Sequence, residues 1–182
     1  MSEPSRLSVA FVAVGSNLEP QENIAAALRA LQETLRVRAS STFYRTEPLG
    51  RRKQPDFVNG VWRIETDLGP LRVKNEVLKP VETRLGRLRT DDKFAPRKID
   101  LDLVLYDDLV VDEVELTLPH PDIRRPFVHV PIIELLDGAS DDVEPRLRAA
   151  IEALLPAARP GSTAGAPLHD FTHELRRLLG GS

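Results

Sequence analysis

Cysteine is absent from this chain of 182 residues, which excludes disulfide bonds, thiolate nucleophiles and cysteine-ligated zinc. Aromatic residues make up only 5% of the chain and no RNP-type motif occurs, so the stacking platform of an RNA-binding sheet is missing. No apolar run is long enough to cross a bilayer, and residues 1–7 contain no secretory h-region. P-loop, G-x-S-x-G and H-E-x-x-H motifs are also missing. With a net charge of −3, the chain is expected to be a cytoplasmic globular protein that binds neither nucleic acid nor membranes.

What is present includes an apolar run at 99–106 that carries two carboxylates, Asp100 and Asp102. Side chains alternate along a strand, so these carboxylates would share one face. Ile99, Leu101, Leu103 and Leu105 would fill the other face. Neighbouring carboxylates repel each other unless a cation or a proton lies between them, and Mg²⁺ is the cation that such hard oxygen ligands suit. The alternative is a pair of solvated carboxylates on an exposed edge strand.

A cluster of basic residues precedes this strand. Its members are Arg84, Arg87, Arg89, Lys93, Arg97 and Lys98. A phosphate chain with Mg²⁺ would satisfy the basic and acidic groups together. The alternative is a solvated basic loop that pairs with the two aspartates.

Three further residues are candidates for ligand binding. Asn59 lies in an apolar strand pattern, and its amide offers the donor and acceptor that a heterocycle edge requires; a strand bulge beside Gly60 is the alternative. His120 is held between two prolines, and without further context a surface histidine in a rigid loop is the favoured interpretation. Phe127 is predicted either to join the core or to form one wall of a slot for an aromatic ligand.

The hydrophobic pattern predicts an α+β fold of the ferredoxin-like α/β sandwich type, with a β-α-β-β-α-β core. Predicted strands cover 7–14, 37–45, 56–67 and 99–106, and predicted helices cover 20–35 and 69–85. Pro80 should kink or split the second helix, and both helices should cover one face of the sheet. A turn at 107–108 and a return strand at 109–111 would add an extra hairpin.

The composition changes after Gly138. Helical patterns occur at 144–155 and 168–179, and a linker rich in proline and glycine separates them at 159–167. We therefore expect one domain over 1–138 and a C-terminal helical extension over 139–182, which packs on that domain or is loosely tethered to it.

Several short motifs resemble one known family when their order and spacing are taken together. They are G-S-N-L at 15–18, Y-R-T-E-P-L-G at 44–50, Q-P-D-F-V-N at 54–59, L-G-R-L-R at 85–89, A-P-R-K-I-D-L-D-L at 95–103, L-P-H-P at 118–121 and F-V at 127–128. Over about 9–136 the chain resembles the 6-hydroxymethyl-7,8-dihydropterin pyrophosphokinases of folate biosynthesis. It departs from them in two places. Phe94-Ala95 replaces the usual Trp-Gly, and the interval from His120 to Phe127 is one residue short.

The resemblance implies a reaction in which Mg-ATP donates its terminal diphosphate to the hydroxymethyl group of a reduced pterin, leaving AMP. It implies that two Mg²⁺ ions bind Asp100 and Asp102, and that Arg87 and Arg97 share in catalysis with these aspartates. The residues it assigns to ATP are Glu82, Arg89, Arg97, Leu103, Thr117, His120 and Arg125, with Arg124 as the alternative to Arg125 for the contact with phosphate. Those it assigns to the pterin are Thr46, Pro48, Leu49, Phe57, Asn59, Phe94 and Phe127. It also implies that loops 46–55 and 86–98 are mobile and close over both substrates, and that the domain over 1–138 is catalytic. A monomer with ATP and the pterin alcohol as its partners is expected.

Three other functions are weighed against this one. A nucleotidyltransferase also uses paired aspartates with Mg²⁺, but it transfers AMP and releases diphosphate. An RNA-binding module of the same fold is disfavoured by the scarcity of aromatic residues and the net negative charge. A non-catalytic relative is disfavoured because every expected metal and phosphate position is filled.

Overall fold

An antiparallel sheet forms the centre of the computed structural model, which describes residues 6–48, 53–87, 95–138, 143–156 and 163–180. The strands are β1 (Ser8–Ser16), β2 (Arg36–Ser40), β3 (Tyr44–Thr46), β4 (Phe57–Thr66), β5 (Asp100–Tyr106), β6 (Val111–Asp112), β7 (Thr117–Leu118) and β8 (Ala166–Pro167). The helices are α1 (Pro20–Gln32), α2 (Pro70–Arg72), a π-helical segment (Val73–Leu78), α3 (Lys79–Arg84), a 3₁₀ turn (Pro121–Arg124), α4 (Pro126–Asp137), α5 (Pro145–Leu154) and α6 (His169–Leu179). The strand order is β5-β1-β4-β3-β8, and β2 also pairs with β4. The fold is therefore of the mixed α+β type. None of the helices in these ranges is long and apolar enough to cross a membrane.

The two predicted helices, at 20–35 and 69–85, both cover one face of the sheet as expected, and further helices cover the other face. On the first face, α1, the helical residues 70–84 and α6 pack on side chains such as Val12 and Trp62. On the second face, α4 and α5 pack on Phe11 and Val61. The sequence pattern does not predict α4, because this helix contains Pro131 and is apolar along most of its length.

The predicted strand over 37–45 is interrupted. It forms β2 and β3, and residues 41–43 between them leave the regular ladder. Ser41 still exchanges hydrogen bonds with the backbone of Val61, because its amide donates to the carbonyl and its hydroxyl accepts from the amide. The composition of 37–45 favours strand throughout, so the interruption comes from tertiary contacts rather than from local propensity.

The strand that carries the two aspartates contains a bulge. Val12 lies opposite Leu103 and Phe11 lies opposite Leu105, so Val104 is an extra residue. Leu101 and Leu103 pack on the first face, as predicted, but the bulge turns Leu105 to the second face. The prediction for Leu105 is therefore wrong, since strict alternation does not continue through a bulge.

Pro80 does not split the second helix, because the helical run continues through it to Arg84, but a π-helical segment precedes it. The amide of Lys79 donates to the carbonyl of Lys74, a step of five residues, and the preceding segment is π-helical. Proline lacks an amide hydrogen, and its ring would clash with the carbonyl four residues earlier in a regular α-helix. The wider turn accommodates the ring without ending the helical run.

Two further predictions, for residues 109–111 and for residues 159–167, are corrected. Residues 109–111 do not return along β5; Val111 instead pairs with Leu118 in a separate two-stranded sheet. The predicted linker at 159–167 contains β8, which pairs with β3. A strand of two residues that includes Pro167 is too short to show an alternation of apolar and polar residues in the sequence.

Candidate active site

A cleft of about 490 Å³ lies across the ends of β3, β4 and β5, with β1 between the last two, and this volume suits a small-molecule site. The residues that line it are Thr46, Glu47, Gln54, Phe57, Asn59, Arg87, Arg97, Asp100, Asp102, Asp122, Arg125 and Phe127. The cleft therefore brings together residues that the resemblance assigns to the pterin and residues that it assigns to metal and phosphate.

Gly15 separates these two groups. In the register of the sheet it lies opposite Asn59 of β4 on one side and opposite Asp100 of β5 on the other. A Cβ atom at Gly15 would lie 2.7 Å from Oδ1 of Asn59. The absence of a side chain at this position leaves Asn59 its place and keeps the floor open between the amide and the carboxylate.

Asp100 and Asp102 both face the cleft, as alternation along β5 predicts. Burial and, after it, the charge of Asp100 raise the pKa of Asp102 to about 6, although His120 and Arg87 lower it. The pair therefore favours a bound cation or proton over two free negative charges.

Arg87 links the first of these carboxylates to a buried glutamate. Its Nη1 lies 2.6 Å from Oδ1 of Asp100, and the same nitrogen contacts Glu82. Glu82 is buried in α3, and its Oε1 accepts a hydrogen bond of 2.7 Å from the amide of Leu101. Burial raises the pKa of Glu82 to about 7, and the Leu101 amide and Arg87 limit that shift. Arg97 also pairs with Asp100.

The donor set fits Mg²⁺. Asp100 and Asp102 supply hard oxygen ligands, and Mg²⁺ characteristically takes one or two carboxylates and completes its shell with water and phosphate. Within the described ranges, no three histidine, aspartate or glutamate side chains converge on a common point. A metal here would therefore depend on oxygen atoms from a substrate or from water.

The opposite side of the cleft is aromatic and amide-bearing. Nδ2 of Asn59 donates to Oγ1 of Thr46 over 2.7 Å, and Thr46 lies opposite Phe57 in the β3–β4 pair. Phe127, in the first turn of α4, lines the cleft, and the guanidinium of Arg125 lies 5.8 Å from its ring centroid. The β1–β4 pairing is regular at Asn59, so the alternative of a bulge is wrong.

The other described residues that were predicted to bind ATP are not among the residues that line this cleft. His120 has an extended backbone, and its Nδ1 accepts from the amide of Asp122 over 3.2 Å. Thr117 lies in β7, and the Leu103 side chain is buried in the core on the face opposite Asp102. Arg124 is exposed, whereas Arg125 lines the cleft and pairs with Asp122 at 2.7 Å.

Four further predicted positions are also absent from the cleft lining. Pro48, two residues after the end of β3, is described, but it is not among the lining residues. Leu49, Arg89 and Phe94 lie outside the described residues.

Sequence reasoning missed Asn17 as a functional residue. It is buried, and its Nδ2 donates to Oε1 of Gln54 at 3.1 Å and to the carbonyl of Pro55 at 3.2 Å. Its Oδ1 accepts from the amide of Arg97 at 2.8 Å. One side chain thus joins the ends of both loops that border the cleft. Glu47, Gln54 and Asp122 were also missed, and the only signal for Asn17 was its place in the G-S-N-L motif.

Comparison with known proteins identifies the family to which the chain belongs. The family model described as 7,8-dihydro-6-hydroxymethylpterin-pyrophosphokinase matches residues 11–137. A 2-amino-4-hydroxy-6-hydroxymethyldihydropteridine pyrophosphokinase of Haemophilus influenzae is 41% identical over 140 residues, which cover 75% of this chain and 84% of that protein. A protein of the same name from Pseudomonas aeruginosa is 41% identical over 129 residues, covering 69% of this chain and 78% of that protein. Another from Synechocystis is 36% identical over 147 residues, covering 79% and 72%. Because the model spans most of the chain and the relatives align over more than two thirds of it, the chain belongs to the 7,8-dihydro-6-hydroxymethylpterin-pyrophosphokinase family.

Proposed function

We propose that this protein transfers diphosphate from Mg-ATP to the hydroxymethyl group of 6-hydroxymethyl-7,8-dihydropterin, giving AMP and the pterin diphosphate in folate biosynthesis. The observation that carries the proposal is the row of Asn59, Gly15 and Asp100 across three neighbouring strands. It sets an amide and aromatic pocket beside paired carboxylates and arginines, with an open floor between them.

The chemistry needs an acceptor alcohol and a polyphosphate held in line. The hydroxymethyl oxygen attacks the β-phosphorus of ATP, the bond between that phosphorus and the oxygen bridging it to the α-phosphorus breaks, and AMP leaves with the bridging oxygen. The alcohol proton passes to water. Such transfers depend mostly on positioning and on neutralisation of charge, so a strong protein base is not required.

Acceptor recognition is assigned to the amide and aromatic side of the cleft. Asn59, already oriented by Thr46, reads the edge of the pterin ring, and Phe57 and Phe127 provide walls for its faces. The nearby hydroxymethyl group would then point across Gly15 toward Asp100.

Charge neutralisation is assigned to the two aspartates and the arginines. Asp100 and Asp102 would hold two Mg²⁺ ions, which neutralise phosphate oxygens and lower the pKa of the attacking alcohol. Arg87 and Arg97, paired with Asp100 in the structure, would turn toward the phosphates when Asp100 engages metal. Glu82 holds Arg87 from behind, and Arg125 and His120 lie where they can border the nucleotide. The proposed ATP-binding residues also include Thr117, Arg89 and the backbone of Leu103. The proposed pterin-binding residues also include Pro48, Leu49 and Phe94.

The fold and its organisation are proposed in the same terms. A ferredoxin-like core is supported by the order β5-β1-β4 with β2 and β3 beside β4, all antiparallel. Residues 1–138 form the catalytic domain and 139–182 its C-terminal extension. The enzyme acts in the cytoplasm as a monomer on two small molecules, without nucleic acid or membrane partners, and its mass of 20.3 kDa gives size-exclusion chromatography a definite value to test.

Product analysis tests the proposed reaction. The protein is incubated with ATP, Mg²⁺ and the reduced pterin alcohol, and ³¹P NMR with chromatography identifies the products. AMP and a pterin diphosphate in equal amounts support the proposal, whereas free diphosphate with an adenylated pterin would establish the nucleotidyltransferase alternative. Asp102→Asn should abolish AMP formation, and Asp112→Asn, an exposed residue of β6 outside the cleft, serves as the matched control.

A further inference from the structure

The C-terminal segment extends the sheet beside the proposed acceptor site. Strand β8 pairs with β3 so that Pro167 lies opposite Tyr44 and Ala166 lies opposite Arg45. The next residue of β3 is Thr46, which orients Asn59. This segment lies beyond residues 11–137, which the family model matches, so its contacts with β3 are additional to the matched region.

Residues 168–176, most of them in α6, supply hydrogen-bond partners to the backbone of Ser40 and Phe43, where the chain leaves the ladder between β2 and β3. The amide of Leu168 donates to the carbonyl of Phe43 at 2.8 Å, and the amide of Phe43 donates to Oγ1 of Thr172 at 2.9 Å. Nε of Arg176 donates to the carbonyl of Ser40 at 3.0 Å. The approach to β3 is thus held by residues from the end of the chain.

Aromatic packing also holds residues 41–43, the segment that leads into β3. The rings of Phe43 and Phe171 meet edge to face with centroids 5.7 Å apart, and both side chains are buried. A Cβ atom at Gly60 would lie 2.7 Å from the Phe43 ring, so that ring presses on β4 directly beside Asn59.

Gly165 is the closest point of contact between the two segments. Its φ of +127° lies in the region that favours glycine. A Cβ atom there would collide with the carbonyl oxygen of Arg45 and lie 3.0 Å from Cγ2 of Thr46. Only a residue without a side chain allows β8 to approach β3 this closely.

We propose that residues 164–176 form the outer support of the acceptor site, and that Gly165 is a positioning residue that sets Thr46 against Asn59. The identity of the ligand as the pterin alcohol rests on the proposed function. Displacement of β8 would free Thr46 to move, and Asn59 would lose the hydrogen bond that orients its amide toward the ring.

The test compares Gly165→Ala with Gly69→Ala, because a Cβ atom at Gly69 meets nothing within 4 Å. Titration calorimetry measures affinity for the pterin alcohol in the presence of a non-hydrolysable ATP analogue, and steady-state kinetics measure KM for each substrate. We expect Gly165→Ala to weaken pterin binding about tenfold, a difference typical of one lost orienting contact. KM for ATP should stay within about twofold, since none of the residues proposed to bind the nucleotide lies in β3 or β8.

A second pair of variants keeps the test valid if Gly165→Ala folds poorly. Thr172→Val removes the acceptor for the Phe43 amide, and Thr172→Ser restores it, so only the valine variant should lose pterin affinity. Ile151→Val, a substitution in the buried side of α5, controls for a general loss of stability that does not involve β3.

Two outcomes overturn the proposal. One is unchanged pterin affinity in both Gly165→Ala and Thr172→Val while their melting temperatures fall. The other is unchanged amide hydrogen exchange of residues 44–46 in Gly165→Ala, which tests the support of β3 without any substrate. A wild-type protein that neither binds the pterin nor forms AMP would instead refute the proposed function, and the exchange result would still decide whether β8 holds β3.

Discussion

Replacement of Asp102 by asparagine separates the electrostatics of the site from its catalysis. In the ligand-free protein, burial and the charge of Asp100 raise the pKa of Asp102 from 3.8 to about 6. A carboxyl with a raised pKa stabilises the fold while protonated, and that stability is lost as the pH rises from about 4 through 6. Asp102→Asn keeps the shape and removes the titration. The ligand-free variant should therefore be more stable than the wild type above pH 6.

The size of this effect follows from the shift. At pH 8 the ionised carboxylate costs the folded state at most about 3 kcal/mol, and near pH 4 the cost falls below about 1 kcal/mol. Asp102 is partly exposed, so the measured value should lie below this upper limit. For a chain of this size the upper limit corresponds to roughly 6–12 °C in Tm.

Trp62 provides the assay, because it is the only tryptophan and is fully buried. Urea unfolding is followed by its fluorescence at pH 4 and pH 8, with EDTA present, for wild type and variant. The stability difference between the two proteins should widen with pH, and turnover should be lost in the variant at every pH. A difference that does not change with pH would refute the electrostatic reasoning, and wild-type turnover in Asp102→Asn would refute the metal assignment.

Three further changes test other parts of the structure. Asn17→Ala removes the side chain that joins the ends of both loops. KM should therefore rise for both substrates, with little change in Tm. A rise in KM for one substrate alone would contradict the shared role. Arg87→Ala removes a charge that lowers the pKa of Glu82, so ionised Glu82 should cost the folded variant more free energy than it costs the wild type. Urea unfolding should therefore show a larger loss of stability at pH 8 than at pH 5. Equal losses at the two pH values would contradict this. Gly60→Ala forces a Cβ atom to within 2.7 Å of the Phe43 ring and should lower stability by about 1–3 kcal/mol in the same assay, whereas an unchanged Tm would show that the ring yields.

The central strands and the first helix could be predicted from the sequence, because their side chains follow a regular period. The strand at 99–106 and the shared face of Asp100 and Asp102 are confirmed within one residue at the start of β5. A disturbance of the regular α-helix near Pro80 could also be predicted, since the loss of an amide hydrogen is a local property, but the split that was expected there does not occur.

Features that depend on distant parts of the chain could not be predicted in this way. The face of Leu105 depends on a bulge in the pairing with β1, and the break at 41–43 depends on α4 and α6. For the cleft, motif spacing identified most of the described lining residues, but Asn17 makes its contacts with residues up to 80 positions away. The strand β8 has only two residues and becomes recognisable only through its partner.

Pro167 on the outermost strand has a consequence for how the protein behaves in a crowded solution. An exposed sheet edge with free amide hydrogens can pair with another molecule and begin aggregation. Proline has no amide hydrogen, and a strand of two residues offers little length for pairing. The strand that supports Thr46 therefore also closes the β3 side of the sheet to edge-to-edge association between copies of the protein.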